Sequence, residues 1–181
     1  MKRLCVFCGS SLGNDPAYAW AARGLARALV QRGIGLVYGG ARRGLIGVLA
    51  DSVLERGGDV IGVIPERLVA QEVAHTGLTQ QIVVTSMHER KARMAEHADA
   101  FLALPGGFGT LDELMEVITW AQLGLHDKPI GLLDVNGYFG DLRMFIEHMI
   151  EEGFVSSEQV QTIRVHALPE RVLDQLFGPR A

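Results

Sequence analysis

Ala100-Phe101-Leu102-Ala103-Leu104-Pro105-Gly106-Gly107-Phe108-Gly109-Thr110-Leu111-Asp112-Glu113-Leu114-Met115 is the stretch whose pattern sets the fold. Ala100 to Leu104 is apolar without alternation, which suits a strand buried on both faces of a parallel sheet. Pro105 to Gly109 reads as a turn. From Thr110 the pattern is helical: Leu111, Leu114, Met115, Ile118 and Gln122 recur at i, i+3, i+4 spacing and predict one inward face. Asp112, Glu113, Glu116 and Thr119 avoid that face. A helix that opens at a Gly-rich turn presents free amide N–H groups and about half a positive charge. Phosphate is the natural ligand of such a position. Side chains would obstruct its approach to the backbone, which accounts for Gly106, Gly107 and Gly109.

The same rhythm recurs outward from this stretch. Leu4–Cys8, Ile34–Tyr38, Val60–Ile64, Gln81–Val84, Ala100–Leu104, Ile130–Leu133 and Thr162–Val165 are short apolar runs that predict strands. Amphipathic helical patterns lie between them. Asp15-Pro16 starts the first, with Asp as N-cap and Pro at the first helical position, and Gly33 ends it. A second runs from about Leu45 to Arg56 and stops at Gly57-Gly58. The alternation predicts an α/β fold, a Rossmann-like parallel sheet of about seven strands with helices on both faces. The chain has 181 residues and shows no linker, repeat or low-complexity segment. Residues 1–181 are therefore expected to form a single domain, which buries about 70% of the unfolded surface without disulfide or metal staples.

Composition narrows the function classes. Apolar residues are 48%, charged residues 21% and the net charge is −4, so a general nucleic-acid binder is not expected. No apolar run approaches the ~18 residues needed to span a bilayer. Leu4 to Cys8 is too short for a signal peptide core, and the expected compartment is the cytoplasm. Cys5 and Cys8 spell C-x-x-C, but a strand points residues three apart to opposite faces and no second cysteine pair completes a zinc site. They read as small buried hydrophobes. The six histidines show no ligand spacing, so no metal is expected.

Glycines gather at three strand ends: Cys8-Gly9-Ser10-Ser11, Tyr38-Gly39-Gly40-Ala41, and Leu104 to Thr110. In open α/β sheets that edge binds ligands. Gly39 and Gly44 have P-loop spacing, yet Leu45 stands where the phosphate-binding Lys must be, and no G-x-G-x-x-G follows the first strand. A nicotinamide cofactor is not expected, nor any other. Gly-x-Ser-x-Gly is absent, so a nucleophile elbow is not supported.

Two charged groups stand out. Thr110 and Glu113 have capping-box spacing, so Glu113 is either a cap or a catalytic carboxylate beside a phosphate pocket. Ser86-Met87-His88-Glu89-Arg90-Lys91 opens another helix, with a second box at Ser86 and Glu89. Met87, Met94 and Ala98 define its inward stripe, and Arg90 and Lys91 fall within that stripe. Cations there need a salt bridge, an outlet to water or an anionic ligand. Arg is favoured where a fork must hold phosphate oxygens.

Met87-His88-x-Arg90-Lys91 followed by Pro105-Gly106-Gly107-x-Gly109-Thr110-x-x-Glu113 resembles the LOG family, the cytokinin riboside 5′-monophosphate phosphoribohydrolases once widely labelled lysine decarboxylases. The resemblance extends to Cys8-Gly9-Ser10-Ser11, Tyr38-Gly39-Gly40, Thr119-Trp120-x-Gln122-Leu123-Gly124 and Lys128-Pro129-Ile130-Gly131-Leu132-Leu133. Departures are Ala41 for a common Gly, Ile46 for Met and Asp112 for Glu. The resemblance implies cleavage of the N-glycosidic bond of a purine nucleoside 5′-monophosphate, usually by a homodimer. It implies Arg90 and Glu113 as catalytic residues. It implies substrate contacts at Glu72, Arg90, Lys91, Gly107, Phe108, Gly109, Thr110, Leu111, Asp112, Glu113 and Thr119. Gly106 joins these on the loop reading, and Gly9, Ser10, Gly39 and Gly40 are further candidate contacts. Whether the base is adenine or N6-prenyladenine stays open. An AMP nucleosidase and a non-catalytic nucleotide or molybdopterin-type binder are the alternatives. A decarboxylase has little support, because nothing marks a Lys for a Schiff base.

Overall fold

A computed structural model describes residues 1–70 and 74–180. The strands are β1 (Arg3–Phe7), β2 (Gly35–Tyr38), β3 (Val60–Pro65), β4 (Gln80–Val84), β5 (Ala100–Ala103), β6 (Ile130–Leu133) and β7 (Ile163–His166). The helices are α1 (Pro16–Gln31), α2 (Gly44–Leu54), α3 (Glu66–Ala70), α4 (Met87–Glu96), α5 (Phe108–Gln122), α6 (Gly140–Glu151), α7 (Ser157–Gln161) and α8 (Pro169–Phe177). The described strands form one sheet in the order β4-β3-β2-β1-β5-β6-β7, and every pairing is parallel. Each strand predicted from an apolar run is present within a residue or two.

One layer packs α1, α2 and α8 on the sheet through Leu25, Leu29, Leu49, Val53, Val172 and Leu176. The opposite face carries Met94 of α4 and Leu114 and Val117 of α5 against Phe7, Val63 and Phe101. Cys5 belongs to this second layer and Cys8 to the first, both buried and free. Burial pushes both thiols up, so neither is a ready thiolate.

Local signals are realised where a side chain makes them. Asp15 Oδ1 accepts the Ala17 amide at 2.8 Å to cap α1, and Gly33 closes the helix at φ +62°. The turn before α5 behaves otherwise. The helix starts at Phe108, not Thr110, with Gly107 as N-cap and no side-chain cap bond. Thr110 is thus a buried residue inside the first turn, and Glu113 lies in the second. The fully buried residues are Thr110, Leu114 and Val117; Met115 and Ile118 pack against the core as expected, while Gln122 is exposed. The box at α4 is half realised. Ser86 Oγ accepts the Glu89 amide at 3.1 Å, but the Glu89 carboxylate turns to Thr85, accepting from its amide and hydroxyl at 2.9 Å each.

Candidate active site

The strand order reverses between β1 and β5, and in such sheets the crevice outside the carboxyl ends at that point takes the ligand. The two loops meet there, with the Gly9 amide donating to Pro105 O at 3.0 Å. Beside them opens a cavity of about 420 Å³. One wall is the start of α5, Gly107 to Thr110. The amides of Phe108, Gly109 and Thr110 precede the first helical bond, which Leu111 N makes to Gly107 O at 3.2 Å. These residues line the cavity at the positive end of the helix dipole, an arrangement chemically suited to an anion. A Cβ on Gly107 or Gly109 would meet no protein atom, so bare backbone at these positions leaves room for a ligand. Gly106 has a different reason: a Cβ there would run into Thr110 and the Gly9 amide.

Arg90 and Glu113 form the floor. Arg90 Nη1 donates to Glu113 Oε1 at 2.7 Å and its Nε donates to Val63 O at 3.1 Å. Both side chains are nearly covered, at 9% and 12% exposure. Nη2 makes no hydrogen bond among the described residues and is left to the cavity. Gly39 lies directly against it, and a Cβ on Gly39 would overlap Nη2. Burial pushes the Glu113 carboxyl above its ordinary range, and the Arg90 charge pulls the other way. The carboxyl is therefore poorly solvated, with Arg90 as its charged partner.

Lys91 is committed elsewhere. Its Nζ lies 3.3 Å from Asp112 Oδ2 and 3.0 Å from Glu116 Oε1 on α5. Burial lowers the ammonium's affinity for its proton, but the two carboxylates outweigh that and the group is held charged. Arg90 and Lys91 together thus clamp α4 to α5.

The expected contacts divide by place. Arg90, Gly107, Phe108, Gly109, Thr110, Asp112, Glu113, Ser10 and Gly39 line this cavity. Gly9 and Gly106 line an adjoining cavity of about 280 Å³, walled by Tyr18 and Tyr138, which shares Ser10 and Gly107 with the first. Lys91, Leu111, Gly40 and Thr119 line neither. Thr119 stands farther along α5, its hydroxyl donating to Met115 O at 2.7 Å. Glu72 lies outside the described residues.

The sequence was compared with known proteins. A family model described as "Possible lysine decarboxylase" matches residues 46–176. Cytokinin riboside 5′-monophosphate phosphoribohydrolase LOG1 of Arabidopsis thaliana is 56% identical over 86% of this chain and 73% of its own. The probable phosphoribohydrolase LOGL3 of Oryza sativa subsp. japonica is 51% identical over 97% and 83%. The chain belongs to the LOG family. Solved structures give the wider fold. The molybdenum cofactor binding protein of Rippkaea orientalis superposes with a TM-score of 0.72 at 16% identity, covering 97% of this chain and 95% of its own. The molybdenum cofactor carrier protein of Chlamydomonas reinhardtii does so with 0.72 at 20%, covering 97% and 96%. At that identity the likeness is one of fold.

The cavity is also built from residues that sequence reading did not count as substrate contacts. Cys8, Ile46, Leu68 and Met87 supply its apolar lining beside the Arg90–Glu113 pair. Met87, expected inward, is half exposed at the mouth, and Phe108 beside it is 93% exposed. Val63 contributes only its carbonyl, which no side-chain pattern announces. A larger recess of about 810 Å³ lies at the amino ends of β6 and β7. Its histidine and lysine are already used: His126 Nε2 donates to Val117 O, Nδ1 accepts from the Lys128 amide, and Lys128 Nζ donates to Ala95 O.

Proposed function

We propose that this chain hydrolyses the N-glycosidic bond of cytokinin riboside 5′-monophosphates, releasing the N6-prenylated adenine and ribose 5-phosphate, with Arg90 and Glu113 as the catalytic residues. The curated relatives carry this activity in their names, at 51–56% identity. The observation that carries the site assignment is the buried Arg90–Glu113 pair on the floor of a cavity walled by the free amides of α5.

The chemistry follows from the placement. Phosphate sits on the amides of Phe108, Gly109 and Thr110. Glu113 is three to five residues farther along the helix, a rise of about 4.5–7.5 Å, on the scale of a ribose 5-phosphate. As the C1′–N bond breaks, its electron pair leaves with the base and positive charge develops on the ribose, as in glycoside hydrolysis. The Glu113 carboxylate stabilises that charge in a water-poor site. Water attacks C1′ and gives up a proton, and the departing base gains one. Arg90 holds Glu113 in place and offers Nη2 to the substrate. The described lining contains no lysine, so it offers no Schiff-base amine for an amino-acid decarboxylase.

A homodimer in the cytoplasm belongs to the same reading. Free cysteines fit a reducing compartment. Among the described residues no helix is long and apolar enough to cross a membrane.

Product analysis on prenylated AMP, AMP, GMP, CMP and adenosine tests the proposal. Release of free purine from the 5′-monophosphates is expected, with kcat/KM far above that for adenosine. Absence of any released base, or equal kcat/KM for AMP and adenosine, overturns it.

A further inference from the structure

Arg90 Nη2 reaches the cavity between Gly39 on one side and the Val63 carbonyl and Glu113 on the others. The position of Gly39 therefore sets where the guanidinium can lie. The loop that carries it, Gly39 to Ala41, is itself held from outside. Gly40 O accepts the His75 amide at 2.9 Å, and Ala41 pairs with Ala74 in an isolated antiparallel bridge.

The His75 ring fixes this patch. The residue is 9% exposed. Nδ1 accepts the Gly77 amide at 3.1 Å, which puts the ring proton on Nε2. Nε2 lies 2.8 Å from Asp51 Oδ1 and donates to it from the neutral ring. Both nitrogens are thus satisfied: the ring ties the β3–β4 connection to α2, and the backbone it steadies, the His75 amide and Ala74, holds the second glycine loop.

We infer that His75 is a positioning residue for the glycosidic cleavage, anchored by Asp51 and acting through Gly39–Ala41 on the guanidinium of Arg90. The inference rests on the function proposed above. A protonated His75 has a donor at Nδ1 facing the Gly77 N–H, so only the neutral ring makes both bonds. Misplacement of a catalytic group by about 1 Å can cost roughly 100-fold in rate, so a loosened loop is read in turnover.

The test is kinetic, on the full chain with a 5′-monophosphate that the wild type cleaves. His75→Ala and Asp51→Ala are each expected to lower kcat by about 10- to 100-fold, with a smaller change in KM. Asp51→Asn keeps an acceptor for Nε2–H and retains activity. The double alanine variant falls no further than His75→Ala alone, because the residues act as one unit. In an Arg90→Lys background, where the fork is already lost, His75→Ala costs little more. A merely structural role would lower the melting temperature yet leave kcat per folded molecule intact. Wild-type kcat in both folded alanine variants overturns the inference. If His75→Ala does not fold, Asp51→Ala decides alone, since the Asp51 side chain is 58% exposed. A wild type that releases no base refutes the function itself; an active wild type with insensitive variants refutes only this role.

Discussion

Glu113 carries the sharpest prediction at the scale of single residues. Its capping alternative does not survive the position of the helix start: Gly107 is the N-cap, and Glu113 Oε1 takes Arg90 Nη1. Glu113→Gln keeps shape and an acceptor for Arg90 but removes the charge. A fall in kcat of about 100-fold or more is expected, which is about 2.7 kcal/mol of transition-state stabilisation. Stability should drop by no more than about 2 kcal/mol, against about 3–5 for Glu113→Ala, which leaves the buried guanidinium uncompensated. Turnover assays and thermal melts of both variants check this. Burial raises the carboxyl, against the opposing pull of Arg90, and only the ionised form stabilises developing positive charge. Activity should therefore fall as pH drops through a midpoint above the usual carboxylate range, and Glu113→Gln should erase that limb. The stability contribution runs the other way. A raised group binds its proton more tightly in the native state, so its stabilisation is present in acid and is lost as pH rises through the folded value. Arg90 and Glu113 stand out in the sequence because Arg90 falls within an apolar stripe and Glu113 follows a Gly-rich turn, and the family resemblance implies their roles. Their pairing could not, since 23 residues separate them and only the α4–α5 packing joins them.

At the scale of elements, helix starts and loops separate what the sequence reveals from what it hides. β1 to β3, β5 and β6 are legible because double-sided burial enforces continuous apolar runs. The start of α1 is legible because Asp15 and Pro16 advertise it. The start of α5 is shifted by two residues because a glycine N-cap leaves no side-chain signature. Lys91 was open to several readings for a related reason: its two partners, Asp112 and Glu116, become neighbours only once α4 and α5 pack. The same packing logic makes a prediction at the second glycine loop. Gly39 has no positive φ to explain it, yet its missing Cβ is where the Arg90 guanidinium lies. Gly39→Ala must push the fork away from Glu113 or shift β2's end. A loss of at least about 10-fold in kcat/KM is expected. Glycine at position 39 is conformationally replaceable, so folding should be largely retained by circular dichroism. Wild-type kcat/KM in a folded Gly39→Ala would show that the guanidinium need not lie where the structure puts it.

On the scale of the whole molecule, the apolar surface is unevenly distributed. α6 has no fully buried residue despite carrying Leu142, Met144, Phe145, Ile146, Met149 and Ile150. Met144 is 67% exposed and Phe145 56%. Just beyond the end of α5, Leu123 and Leu125 are each 68% exposed, whereas Trp120 is half-buried against the core. An amphipathic helix normally turns its apolar stripe to a core, and large exposed patches mark contact surfaces. A specific dimer needs about 800 Å² from each partner, which isolated side chains cannot supply but several neighbouring turns of helix can. The expected state is a homodimer, with twice the mass of the 19.7 kDa chain by light scattering at micromolar concentration. Placing charge at the contact should separate it, because an unpaired charge in a desolvated interface is costly. Leu123→Glu combined with Leu125→Glu is thus expected to shift the chain to monomer, with its secondary structure retained. These positions sit outside the cavity that holds Arg90 and Glu113, so the variant also asks whether each chain works alone. A wild type that is monomeric at micromolar concentration would refute the dimer. A dimer that survives both glutamates would move its contact away from the end of α5.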